Sequence, residues 1–130
     1  MEPSQWNQIL NLLAVTIIVD GRIYKEEVDT FVDEALSLKE KASPNMLISK
    51  KMIFDWFVVH RDDIKKWLQE SDPHKRVMQH IHALGKNPHR KTIMSAMYSI
   101  AVSDGNYHKT EVDTLSLAAK SWGMPNPKKA

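Results

Sequence analysis

Residues 20–30 read DGRIYKEEVDT, and residues 104–114 read DGNYHKTEVDT. Seven of the eleven positions are identical at a constant offset of 84 residues, so the chain contains a duplicated segment. The apolar character of the residues upstream repeats at the same offset. An apolar stretch, an Asp-Gly turn and an amphipathic stretch together are typical of a helix–turn–helix unit. We therefore predict two related helical units, at about 4–40 and 88–124.

The stretch that follows the first turn has the periodicity of an amphipathic helix. Val28, Phe31 and Ala35 recur at helical spacing, and acidic residues occupy the opposite face. The apolar run 12–19 is ambiguous by itself, because Val, Thr and Ile favour strands. Its counterpart upstream of the second turn has helical spacing, so we predict that run 12–19 is also a helix, buried on most sides.

A helical insert at about 44–84 is predicted to join the two units. A proline after a capping residue indicates a helix start, because its fixed φ suits the first helical position. This pattern occurs at Ser43-Pro44, Asp72-Pro73 and Asn87-Pro88. The core candidates of the insert are its large aromatic residues, Phe54, Trp56, Phe57 and Trp67. We expect one all-α domain over residues 1–130, with about seven helices, no sheet and a flexible tail at 125–130.

The composition excludes several classes of chemistry. The chain has 130 residues and no cysteine, which excludes disulfides, thiol nucleophiles and cysteine-ligated zinc. Its longest apolar run is much shorter than the roughly 20 residues that a spanning helix needs. We therefore expect a cytoplasmic protein without a membrane span.

The repeated turn has two interpretations. Its pattern, Asp-Gly-x-(Ile/Tyr)-x-x-x-Glu, matches the second half of a calcium EF-hand loop. Thr16 and Ile18 stand where the first two acidic ligands would be, and the second copy has apolar residues there, so a true EF-hand is excluded. In the structural interpretation, glycine ends the first helix, aspartate forms an Asx turn, and glutamate lies in the first turn of the next helix.

In the functional interpretation, the two units bring Asp20, Glu27, Asp104 and Glu111 together. Four carboxylates repel one another unless a cation lies among them. Oxygen ligands select hard divalent ions such as Ca²⁺, Mg²⁺ or Mn²⁺, whereas a contribution from His108 would shift the preference towards Zn²⁺ or Mn²⁺. We predict a divalent-metal site at these four carboxylates, with His108 as an additional ligand and Zn²⁺ less favoured. The sequence leaves open whether the two turns meet.

Three segments resemble the TerB-like family of tellurite-resistance proteins, which includes the central domain of the membrane-anchored co-chaperone DjlA. They are LLAVTIIVDGRIYKEE at 12–27, IMSAMYSIAVSDGNYHKTE at 93–111 and AAKSWGM at 118–124. The resemblance implies a compact all-helical domain of about seven helices, with duplicated turns and paired acidic residues suspected of metal binding. Family members often have Ser, Thr or Asp where this chain has Tyr24 and His108.

The net charge of +2 conceals an uneven distribution. Residues 1–65 contain 8 basic and 11 acidic residues, whereas residues 66–130 contain 10 and 5. The interval 74–91 has no acidic residue and contains Lys75, Arg76, Lys86, Arg90 and Lys91. This basic interval is either an anion- or partner-binding surface or a solvated helix pair. It contains no nucleic-acid recognition motif, so we do not expect nucleic acid to be the partner.

Three classes of function follow from these features. We favour a non-enzymatic interaction or sensing module of the stress-response type, with a protein partner, which could be a second copy of the chain. The alternatives are a metal-dependent enzyme that uses the carboxylate cluster and a phosphate or nucleic-acid binder that uses interval 74–91. No phosphate-binding or nucleophile-elbow motif is present, and the histidines lack metal-ligand spacing.

Overall fold

The computed structural model of the protein describes residues 2–19, 21–70 and 72–127. These residues form six α-helices and no strand. The helices are α1 (Pro3–Ile18), α2 (Lys25–Ala42), α3 (Lys50–Leu68), α4 (Pro73–Ala83), α5 (Arg90–Ala101) and α6 (Lys109–Trp122). The predicted all-α class is therefore confirmed, with six helices in the described residues where about seven were expected. None of these helices combines the length and the apolarity that crossing a membrane requires.

Helix α1 is the central element and contacts each of the other five helices. Every residue from Leu12 to Ile18 is at most 2% exposed. A helix that is apolar on all sides can be buried on all sides, which explains why the β-branched residues of this run do not form a strand. The one hydroxyl group among them, on Thr16, donates to the carbonyl oxygen of Leu12 at 3.1 Å.

The hydrophobic core is one cluster with side chains from all six helices. Where α2 packs on α3, Phe31 and Phe57 are almost wholly buried, and their ring centroids lie 5.4 Å apart. Trp67 is also buried, as predicted. The prediction was wrong for Phe54, which is 47% exposed. Its neighbour Ile53 faces the core, and one residue along a helix turns the side chain by about 100° away from that direction.

The proline signals located one helix start and misplaced another. Helix α4 begins at Pro73, and the carboxylate of Asp72 accepts a hydrogen bond from the Lys75 N–H at 3.3 Å. Ser43 was predicted to begin a helix, but it ends α2 instead. Helix α3 starts further on, with Ser49 as its capping residue.

The start predicted at Asn87-Pro88 is displaced by two residues. The Asn87 side chain accepts the N–H of His89 at 2.8 Å, and α5 begins at Arg90. This Asx-type bond forms a turn before the helix rather than a cap on it. In the tail, residues 125–127 have no regular structure, and residues 128–130 lie outside the described part of the chain.

The two sequence copies have matching local structure. Helices α2 and α6 begin at Lys25 and Lys109, which are 84 residues apart, as in the sequence repeat. The same lysine–aspartate pair follows in each helix, Lys25 with Asp29 at 2.8 Å and Lys109 with Asp113 at 3.0 Å. Each copy is therefore a helix, a short turn and a second helix with the same opening.

Candidate functional site

The same tight turn ends α1 and α5. Gly21 and Gly105 have positive φ angles of 83° and 88°. The Gly21 N–H donates to the Ile18 carbonyl oxygen at 2.9 Å, and the Gly105 N–H donates to that of Val102 at 3.0 Å. Glycine occupies both positions because it adopts positive φ without steric cost.

The two turns lie side by side, which the sequence had left open. Tyr24 and His108 are the N-cap residues of α2 and α6, and both have an extended backbone. Their rings are parallel within 2°, with centroids 6.2 Å apart. This ring pair joins the beginnings of the two repeated helices across 84 residues of sequence.

The carboxylate of Asp104 is held by the second turn. One oxygen accepts the N–H of Asn106 at 3.0 Å, and the other lies 3.1 Å from Nε2 of His108. The side chain is only 7% exposed. Burial opposes ionisation, but the hydrogen bonds from Asn106 and His108 outweigh it and lower the pKa of Asp104. Asp104 is therefore an ionised carboxylate at neutral pH.

Glu111 lies in the first turn of α6, where the structural interpretation placed it, and caps the beginning of that helix. Its Oε1 accepts the backbone N–H of His108 at 3.1 Å, and its side chain is wholly buried. Next to it, Tyr107 packs edge-on against Tyr98 with centroids 5.4 Å apart. Burial raises the pKa of Tyr107, and the charges of Tyr98 and Glu111 raise it further.

Glu27 is the counterpart of Glu111 in the first copy. Both are the third residue of their helices, and both have 0% exposure. A buried carboxylate at a helix N-terminus is favoured by the helix dipole. Of the four predicted ligands, the structure thus places Glu27, Asp104 and Glu111 at the paired turns, and Asp20 lies outside the described residues.

The donor chemistry of the turns fits a hard cation, because the side chains supply buried carboxylate oxygens. The described residues do not, however, supply a full set of ligands for a metal ion. In residues 2–19, 21–70 and 72–127, no three histidine, aspartate or glutamate side chains are grouped so that they could hold a metal ion. In the second copy, Asp104 and Glu111 make local hydrogen bonds that a bound cation would have to replace or share.

The basic interval is not a uniform positive surface. Arg76 forms an ion pair with Glu70 at 3.3 Å and lies over the ring of Trp67. The guanidinium of Arg90 donates to the carbonyl oxygen of Gly85 at 2.6 Å. The other three predicted residues of this surface are exposed, and they are Lys75, Lys86 and Lys91.

The contact between Tyr24 and His108 was not predicted from the sequence. A signal was available, because both copies carry a planar ring at the same repeat position. Comparison of the chain with protein-family models, with curated proteins and with solved structures gave no match.

The ring pair should make a measurable contribution to stability. In a double-mutant cycle of Tyr24→Ala and His108→Ala, we expect a coupling of about 0.5–1.5 kcal/mol in the free energy of unfolding, the range found for aromatic pairs. Urea denaturation followed by circular dichroism measures it. The control cycle combines His108→Ala with His60→Ala, because His60 stacks on Trp56 instead. Equal coupling in the two cycles would show that the rings of Tyr24 and His108 do not interact.

Proposed function

We propose that the protein is a non-enzymatic sensing or interaction module of the TerB-like type, and that its paired Asp-Gly turns respond to a divalent cation. The observation that carries this proposal is the ring pair of Tyr24 and His108, beside which each repeated helix places one wholly buried glutamate. Two buried carboxylates at corresponding positions are costly unless positive charge compensates them. The helix N-termini supply part of it, and a divalent cation would supply more.

The hydrogen bonds of the second turn suggest how binding could be sensed. Asp104 is bonded to His108, and His108 is the N-cap residue of α6. A cation that engages the Asp104 carboxylate competes with this contact, so occupancy of the turn would alter the N-terminus of α6. Oxygen donors favour Ca²⁺, Mg²⁺ or Mn²⁺ over Zn²⁺.

The resemblance implies a role in stress response. In this proposal, that role depends on binding a cation and a protein partner. The chain has no cysteine, so it cannot reduce tellurite with thiols of its own. We propose that the cation-loaded turns are presented to a protein partner in the cytoplasm, and that a second copy of the chain is one candidate for that partner.

Thermal denaturation tests the cation site. The protein is melted in EDTA and then with Ca²⁺, Mg²⁺, Mn²⁺ or Zn²⁺, and an ion at 100 times its Kd should stabilise the fold by roughly 2.7 kcal/mol. The variants Glu27→Gln and Glu111→Gln should lose this stabilisation. Glu26→Gln is the matched control, because Glu26 is exposed in the same first turn of α2.

Each outcome of these melts bears on the site. If no ion raises the Tm of the natural sequence, the cation proposal is wrong. It is equally wrong if Glu26→Gln removes the response as completely as Glu27→Gln does. Melts of all variants in EDTA separate loss of ion binding from loss of folding.

A further inference from the structure

The two ends of the helical bundle differ in charge, and contacts between helix termini define one of these ends. The side-chain amide of Gln5, at the start of α1, donates to the carbonyl oxygen of Ala83, at the end of α4, at 3.1 Å. The indole of Trp122, at the end of α6, donates to Ile81 in the last turn of α4. The end of α2 and the loop before α5 border the same surface depression as Gln5 and Ala83. These termini therefore meet at one end of the bundle, which we call the loop end.

The paired turns lie at the opposite end of the bundle. Helix α1 begins at the loop end and has 16 residues, so the turn that follows it is about 24 Å away. Helix α3 runs in the same direction as α1, because Trp56 donates to the side chain of Asn7 and each of them lies in the second turn of its helix. The loop 43–49 and the first turn of α3 therefore also belong to the loop end.

The loop end is strongly basic. It comprises residues 2–5, 39–51, 84–91 and 119–124, which contain eight lysine and arginine side chains and only two acidic ones, a net charge of +6. The other described residues contain eight basic and thirteen acidic side chains. The chain's small net charge therefore conceals a positive end and a negative remainder.

Most of the basic side chains of the loop end are accessible. Four are exposed and take part in none of the ion pairs between described residues, and they are Lys41, Lys86, Lys91 and Lys120. Lys50 and Lys51 are also exposed, and each pairs with one aspartate. Exposed ion pairs contribute little to stability, so these two lysines can exchange their partners for another anionic surface.

An apolar side chain projects from the same end. Leu47 lies in the loop 43–49 and is 91% exposed, the largest value among the large apolar side chains of the described residues. Its neighbours Met46 and Ile48 are partly buried and pack against the core. The loop is therefore held on both sides of the leucine, whose side chain leaves water only when another apolar medium receives it.

We propose that the loop end docks on an anionic lipid bilayer, with Leu47 among the acyl chains and the lysines facing the lipid phosphates. An anionic membrane surface attracts each nearby lysine, and the apolar insertion adds a second contribution to binding. Nucleic acid also offers phosphates, but its charged backbone provides no apolar medium for the leucine. This surface shares no side chain with the paired turns.

Co-sedimentation with lipid vesicles tests the proposal. The protein is mixed, in EDTA and about 0.1 M salt, with phosphatidylcholine vesicles that contain either no anionic lipid or about 30% phosphatidylglycerol. We expect binding to the anionic vesicles only, and its loss at about 0.5 M salt, because the ions screen the lysines. EDTA removes divalent ions, so the result is independent of the cation response proposed for the paired turns.

Matched lysine substitutions locate the contact. The double substitution Lys86→Gln with Lys91→Gln should weaken binding to the anionic vesicles about tenfold or more, because each lysine near the membrane surface contributes to the attraction. The control is Lys25→Gln with Lys109→Gln, which removes the same charge from the helices that follow the paired turns. It should leave binding nearly unchanged.

The leucine is tested separately. Leu47→Ser should weaken binding about tenfold, because the transfer of its apolar side chain out of water is lost, whereas Ile23→Ser at the other end should not. Since the chain contains no cysteine, Leu47→Cys provides a single site for an environment-sensitive fluorophore. Its emission should shift to shorter wavelength when anionic vesicles are added, and that of a label at Ile23→Cys should not.

Four results would overturn the proposal. They are the absence of binding to the anionic vesicles, an equal loss for the two lysine pairs, binding that is unchanged by Leu47→Ser, and an unshifted label at Leu47→Cys. Binding of duplex DNA by a protein that does not bind the vesicles would also overturn it and assign the loop end to nucleic acid. Circular dichroism of each variant shows that the fold is retained.

Discussion

Replacing Phe31 with alanine is expected to lower the free energy of unfolding by about 3–5 kcal/mol. The side chain is wholly buried in α2 and contacts the ring of Phe57 in α3, with Trp56 6.3 Å away between centroids. Truncation removes this apolar surface and leaves a cavity, and both effects destabilise. Urea denaturation measures the loss directly, and the Tm should fall by about 10–20 °C.

Phe54→Ala is the matched control, because it makes the same chemical change on the same side of the molecule. Phe54 is 47% exposed, so its truncation should change the free energy of unfolding by only about 0.5 kcal/mol. If the two variants are destabilised equally, the described packing of α2 on α3 is wrong.

Trp122→Ala is the second substitution with a large expected effect, about 3–5 kcal/mol. Trp122 is 7% exposed at the end of α6, and its indole N–H donates to the carbonyl oxygen of Ile81 in α4 at 3.0 Å. This side chain therefore attaches the second repeated unit to the insert. The loss is measured by urea denaturation, as for Phe31.

Trp122→Phe separates packing from hydrogen bonding in that contact. Phenylalanine retains most of the buried ring, and the Ile81 carbonyl oxygen keeps the backbone N–H of Leu84 at 3.2 Å. The cost should therefore be only about 0.5–1.5 kcal/mol. A phenylalanine variant as unstable as the alanine variant would show that the indole N–H, rather than the buried area, holds α6 to α4.

The helices were predictable where the sequence pattern is local. The repeat identified the run 12–19 as a helix, and Asp72-Pro73 marked the start of α4. The error at Ser43-Pro44 has a physical cause that local patterns do not contain. The buried ammonium of Lys39 donates to the Pro44 carbonyl oxygen at 3.2 Å and holds this segment as a turn at the end of α2.

The candidate sites depend on contacts between distant segments, and these were less predictable. The repeat located Glu27 and Glu111, but the ring pair of Tyr24 and His108 requires the packing of α2 and α5 that brings the turns together. The basic loop end was not predictable for the same reason, because its lysines come from three separate stretches of the chain.

The two rings of the pair also have different hydrogen-bond partners, and this distinguishes the two copies of the repeat. The hydroxyl of Tyr24 accepts a hydrogen bond from the guanidinium of Arg22 at 3.3 Å, whereas the imidazole of His108 is bonded to the carboxylate of Asp104. A cationic group therefore flanks one end of the pair and an anionic group the other. The two halves therefore share a backbone plan but differ in the charged side chain that contacts the ring, Arg22 in the first copy and Asp104 in the second.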